Sequence, residues 1–234
     1  MSSTRAEILE QIRAALAGLR EEGVDFIPAA ERADAIEERA GASDADRATE
    51  LARVQRELGE CTRCALHEGR GSIVFGEGSA EAEVVFIGEG PGAEEDRTGR
   101  PFVGRAGELL NRMIEAVGWR REEVYICNIV KCRPPQNRDP KLDEVAACAP
   151  FLAGQIRAIR PKAIVTLGKP AISTLLGRQV AITRERGHWQ EWNGIPVMPT
   201  FHPAFLLRSY TRDNRQAVWD DLRAVRARVD PGAE

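Results

Sequence analysis

Four short apolar runs, at residues 84–87, 124–130, 163–167 and 197–200, alternate with helix-patterned segments at about 104–117, 141–159, 170–176 and 212–228. This alternation constrains the fold more than any other feature of the chain. The runs have strand length and are rich in β-branched residues, and strands that alternate with helices pair in parallel through crossover connections. The predicted fold class is therefore α/β: a three-layer α/β/α domain around a four-stranded parallel sheet. Open sheets of this kind bind ligands beyond the carboxyl ends of their strands. The unusual residues of this chain stand at those positions: GEGPG (88–92) after the first strand, Asn128 near the end of the second, LGKP (167–170) after the third and FHP (201–203) after the fourth.

The first 60 residues carry 8 basic and 14 acidic side chains, a net of −6 against −3 for the whole chain, so residues 61–234 are mildly basic at +3. That asymmetry makes a nucleic-acid partner admissible for the part that holds the motifs. Residues 1–50 read as an N-terminal extension, partly helical or disordered, and residues 51–230 as the main domain, with a helix over 49–58 leading into the first cysteine pair. Neither a signal peptide nor a bilayer-spanning apolar stretch is evident. The expectation is a cytoplasmic monomer without a membrane partner.

In a reducing compartment, five cysteines point to ligation more than to disulfides. Cys61 and Cys64 form a CxxC pair, and Cys132 and Cys148 bracket an irregular Pro/Asn/Arg-rich loop, which together give four thiolates. Zinc and a 4Fe-4S cluster are both held by four cysteines, and spacing does not choose between them. Cys127 lies inside the apolar run at 124–130 and reads as a small buried hydrophobe.

The segment GEGPGAEEDRTGRPFVGRAGELL (88–110) opens as a Gly/Pro-rich loop whose amides, Gly88 and Gly90 among them, can approach a ligand closely. It is neither a Walker loop nor a dinucleotide fingerprint. Together with NIVKCRPPQNRDP (128–140) and FHPAFLLR (201–208), it closely resembles the family 4 uracil-DNA glycosylases, with the three motifs in the family's order. The resemblance runs from about residue 60 to about residue 222. It implies the uracil-DNA glycosylase fold, a 4Fe-4S cluster on Cys61, Cys64, Cys132 and Cys148, and action on uracil in single- or double-stranded DNA. The base would be flipped out and its glycosidic bond hydrolysed.

The resemblance further implies that Phe102 stacks on the uracil ring and that His202 donates to the carbonyl oxygen that gains charge as the base leaves. Asn128 has the acceptor and donors that suit uracil's imide and carbonyl edge and mismatch the amino edge of cytosine. Glu89 and Glu95 are candidate catalytic carboxylates, Glu95 also as a residue that crowds the thymine methyl, whereas Glu94 and Asp96 read as solvated. Arg105, Lys169 and Arg208 are candidate phosphate contacts. Leu206 and Leu207 are candidates to wedge into the gap left by the flipped base. A non-catalytic cluster or zinc module that binds DNA is the competing reading.

Overall fold

The computed structural model describes residues 44–232, which belong to the compact unit Ser43–Glu234. Residues 1–43, most of the expected extension, lie outside the described residues. The helix expected at 49–58 starts earlier, at Asp44, as α1 (Asp44–Leu58).

The order continues β1 (Glu77–Gly78), β2 (Val84–Gly88), α2 (Ala93–Thr98), α3 (Arg105–Ala116), β3 (Tyr125–Asn128), α4 (Leu142–Ile159) and β4 (Ala163–Leu167). It ends α5 (Lys169–Leu176), α6 (Ile182–Glu185), β5 (Gln190–Trp192), β6 (Ile195–Thr200), α7 (Pro203–Arg208) and α8 (Arg212–Val229).

The sheet order is β1-β3-β2-β4-β6-β5. The four expected strands form its parallel centre. The expected four-stranded parallel sheet is thus the middle of a mixed six-stranded one, because β1 and β5 add antiparallel edges. Both edge strands are very short, and short edges limit pairing with another chain. Asn193 and Gly194, both with positive φ, make the tight turn that folds β5 back onto β6.

Strand residues alternate between two apolar layers, as a pleat requires. Val84, Phe86, Ile126, Val165 and Met198 pack with α3 and α8 residues such as Leu110, Ile114, Leu222 and Val225. Val85, Ile87, Cys127, Ile164 and Val197 pack with Leu152 and Ile156 of α4 and Ile172 of α5. This is the expected three-layer arrangement. α1 lies against α4, where Val54 and Phe151 share a cluster, and a Cβ on Gly154 would stand 3.1 Å from Val54.

Register brings the motifs to one sheet edge. Gly88 pairs with Asn128, and Leu167 pairs with Thr200, so the segments that follow β2, β3, β4 and β6 emerge side by side.

Candidate active site

Gly88 is the floor of the site. A Cβ there would lie 2.5 Å from both Asn128 Oδ1 and Phe102 Cζ, so the amide and the ring close over a bare backbone. Asn128 is fully buried and its Oδ1 has no hydrogen-bond partner. A buried polar atom left unpaired costs about 1–3 kcal/mol, and such a debt is usual where a ligand supplies the missing partner.

Phe102 is buried and adopts a left-handed backbone, φ 50°. For an aromatic residue that conformation is strained by about 1–3 kcal/mol and persists only where its surroundings impose it. Here they do. The Arg121 guanidinium donates to the carbonyls of Pro101 at 2.5 Å and Phe102 at 3.2 Å. A Cβ on Gly107 would fall 1.9 Å from the Phe102 carbonyl oxygen.

His202 caps the N-terminus of α7, with Nδ1 accepting from the Ala204 amide at 3.1 Å. Its ring lies 5.7 Å from that of Phe102. Burial first, and then the charge of Arg208, lower its pKa to about 4 against a weaker upward pull from Glu95. The imidazole is therefore neutral near pH 7. Because Nδ1 accepts, the remaining proton sits on Nε2, which is free to donate. Gly168 makes room for this ring, since a Cβ on it would approach the His202 Cβ to 3.1 Å.

The acidic residues divide. Glu89 is half-buried, and burial, then the neighbouring Asp139 carboxylate and the hydrogen bond to it, push its pKa up to about 7. Asp139 was not singled out from the sequence. Glu95 instead has both oxygens engaged: Oε1 accepts from Val103 at 2.9 Å and Gly104 at 3.0 Å, and Oε2 from Gly92 at 3.1 Å. These contacts make it the anchor of the loop that carries Phe102. Asp96 is not merely solvated as expected, because it accepts from the Gly71 and Ser72 amides at 2.8 and 3.2 Å. Glu94 is exposed and pairs with Arg97.

Below Asn128 lies a fully buried lysine, its pKa lowered by burial, that sequence reasoning also passed over. Lys131 Nζ donates to the Asn128 carbonyl at 2.8 Å and to Gln155 Oε1 at 2.6 Å. Gln155 in turn donates to Phe75 O and Tyr125 Oη. The backbone hydrogen bond of Lys131 reaches the Cys148 thiol, whose pKa burial raises to about 11.

Cys148 also feels the charges of Cys132 and Cys64, and Cys132 those of Cys64 and Cys61. Arg70 donates to Cys132 Sγ at 3.5 Å and to the Cys61 carbonyl. The four cysteines are thus neighbours, with the Arg70 guanidinium beside Cys132. Among the described residues, no group of three or more His, Cys, Asp or Glu is gathered so as to hold a metal ion as it stands. Cys127 sits apart in the core with its thiol pKa raised by burial.

The model of the uracil DNA glycosylase superfamily matches residues 75–223, which takes in every side chain of this sheet edge. The chain belongs to that superfamily. It is 49% identical over 176 residues to a type-4 uracil-DNA glycosylase of Thermotoga maritima, with 74% of this chain and 92% of that protein covered. It is 46% identical over 179 residues to the type-4 uracil-DNA glycosylase of Saccharolobus solfataricus, covering 73% and 82%. A type-5 uracil-DNA glycosylase of Pyrobaculum aerophilum stands further off, at 33% over 172 residues, covering 66% and 75%.

In this superfamily member, Arg105, Lys169 and Arg208 are exposed. Arg105 and Lys169 are the first residues of α3 and α5, and Arg208 is the last of α7. Leu206 does not stand where a wedge would: it is 2% exposed and packed in the core, because α7 is a helix and this position faces inward. Leu207, the next residue, is partly exposed and is left as the wedge candidate.

Proposed function

We propose that this protein is a DNA-repair glycosylase that extrudes uracil from DNA and hydrolyses the bond between base and deoxyribose, leaving an abasic site. The observation that carries this reading is a neutral histidine with a free Nε2 donor, held beside an aromatic ring and an unpartnered Asn oxygen at one sheet edge. A base in duplex is out of reach, so it must be turned into such a pocket to be read and cleaved.

Phe102 stacks on the ring, the Gly88 backbone borders it, and the Gly90 turn lets the loop approach. Asn128 pairs with the imide edge. The C1′–N bond breaks with its electron pair going to the base, and a carbonyl oxygen of the base takes up negative charge. His202 Nε2–H donates to that oxygen, a donor fixed before the charge appears. Glu89 as a carboxylate stabilises the cationic sugar and takes the proton of the water that adds to C1′. Arg105, Lys169 and Arg208 hold phosphates, and Leu207 fills the vacated stack. The enzyme works as a cytoplasmic monomer on single- or double-stranded DNA. Among the described residues no helix is long and apolar enough to cross a membrane.

Cys61, Cys64, Cys132 and Cys148 would hold a 4Fe-4S cluster. Their mutual proximity and the cationic Arg70 beside them suit a group whose four thiolates are negative. Bound there, the group would tie the 61–72 and 132–148 segments together through these four thiolates and would supply no chemistry on the base.

Incubation with a uracil-containing oligonucleotide, then alkali and a gel, tests the activity; an uncut strand would refute it. Anaerobically purified protein should be brown with about four irons per chain. Cys127→Ala should keep that iron, since Cys127 lies in the core, and iron loss in this variant would show the ligand set to be wrong.

The Glu89 carboxylate predicts a pH profile. The single-turnover rate should fall as pH drops through about 7, where Glu89 takes up its proton. Glu89→Gln should be slower and flat across that range; a wild-type profile flat from pH 5 to 8 would remove Glu89 from the reaction. Stability should move the opposite way. A carboxyl raised in the folded state favours folding below its unfolded pKa and loses that contribution as pH rises through about 7. Glu89→Gln should therefore raise the melting temperature at pH 8 and hardly change it at pH 4.

A further inference from the structure

We infer that Arg121 is a positioning residue for base recognition: it holds Phe102 in the left-handed backbone conformation that sets the ring over the uracil site. The inference rests on the reading of Phe102 as the stacking aromatic.

Arg121 stands in the turn before β3 with its side chain only 17% exposed, and no motif of the family resemblance includes it. Its guanidinium makes a fork whose two nitrogens take the successive carbonyls of Pro101 and Phe102. Nη1 also donates to Asn111 Oδ1 of α3 at 2.7 Å, and Nε lies 3.4 Å from Glu77 Oε1 of β1. One planar cation thus ties the loop to a helix and to the sheet edge, which a single-point ammonium does less well.

The amides on the far side of Phe102, those of Val103 and Gly104, are held by Glu95. The strained residue is therefore clamped from both sides, by a cation on its carbonyls and an anion on the amides that follow. A left-handed aromatic at this position has no local reason to persist. Without the fork, the backbone relaxes toward negative φ and the ring swings off Gly88. Glu77 does not lose its charge partner in that event, because Arg100 pairs with it at 2.7 Å.

The test uses the full-length, iron-loaded protein, with competitive inhibition by free uracil, single-turnover base release and thermal melting as readouts. The variants are Arg121→Ala, Arg121→Lys, Phe102→Ala and the Phe102→Ala/Arg121→Ala double. Arg121→Ala should weaken inhibition by uracil roughly tenfold, within the range the relieved strain allows. Arg121→Lys should fall between it and the parent, and carries the test if the Ala variant does not fold. In the double variant, loss of Arg121 should add almost nothing to the loss of Phe102, because it acts through that ring.

Phe102→Ala with unchanged uracil inhibition would sink the stacking reading and the inference together. If Phe102→Ala weakens uracil inhibition, the inference alone is overturned by either of two results: Arg121 variants that lower only the melting temperature, or losses that add in full in the double variant.

Discussion

Replacing His202 by Ala is expected to slow single-turnover base release by roughly one hundred-fold or more, the range seen when one donor to developing charge is removed. The expectation comes from where the proton is. Nδ1 is occupied by the Ala204 amide and the ring is neutral near pH 7, so Nε2–H is aimed at a charge that exists only as the base leaves. Such an interaction affects the rate and leaves ground-state binding largely alone. DNA carrying an uncleavable uracil analogue should bind nearly as well. Because the pKa is near 4, no limb from this histidine should appear between pH 5 and 9. Near-normal cleavage by His202→Ala would refute the assignment, and failure to bind or fold would return the residue to the scaffold as a helix cap.

Asn128→Asp should be costly in a different way. The wild-type Oδ1 is buried and unpartnered, and a carboxyl placed there is poorly solvated and favours its protonated form. A neutral acid can donate where the amide oxygen could only accept, so the preference for uracil over cytosine should shrink. A site built to bond a polar edge discriminates by a factor of about 10⁴ or more, so several powers of ten are available to lose. Uracil release should drop by about one hundred-fold or more in the same variant, since an unpaired buried group costs about 1–3 kcal/mol and alignment suffers besides. The measurement is the single-turnover rate on matched uracil and cytosine oligonucleotides. Unchanged relative rates would take base reading away from Asn128.

The central strands were legible because each is a β-branched run of four or more residues flanked by helical patterns. β1, with two residues, is too short to carry any period. β5 was legible in principle, because Asn193-Gly194 is a strong hairpin signal, and it was missed because the three residues before it are mostly polar. The site divides along a similar line. Gly88, Asn128 and His202 announce themselves by ending or following strands. Arg121, Asp96 and Lys131 work by bonding backbone atoms remote in sequence or buried carbonyls, and no local pattern marks an arginine whose partners are carbonyls 19 and 20 residues away. The Phe205-Leu206-Leu207 run shows the limit of reading apolar residues: a short helix sends one leucine into the core and leaves its neighbour partly outside.

The six residues of α2 are too few to be helical by themselves. They persist as a rivet. Two adjacent carboxylates, Glu95 and Asp96, gather amides from three separate stretches: Gly71 and Ser72, Gly92, and Val103 with Gly104. If α2 unwinds, the thiol-bearing segment, the glycine loop and the aromatic's loop lose their fastening in one event. They are therefore expected to open together as one unit, with a shared protection of their amides in hydrogen exchange. A graft that transplants the glycine loop without residues 71–72 and 103–104 would carry the motif but not its rigidity.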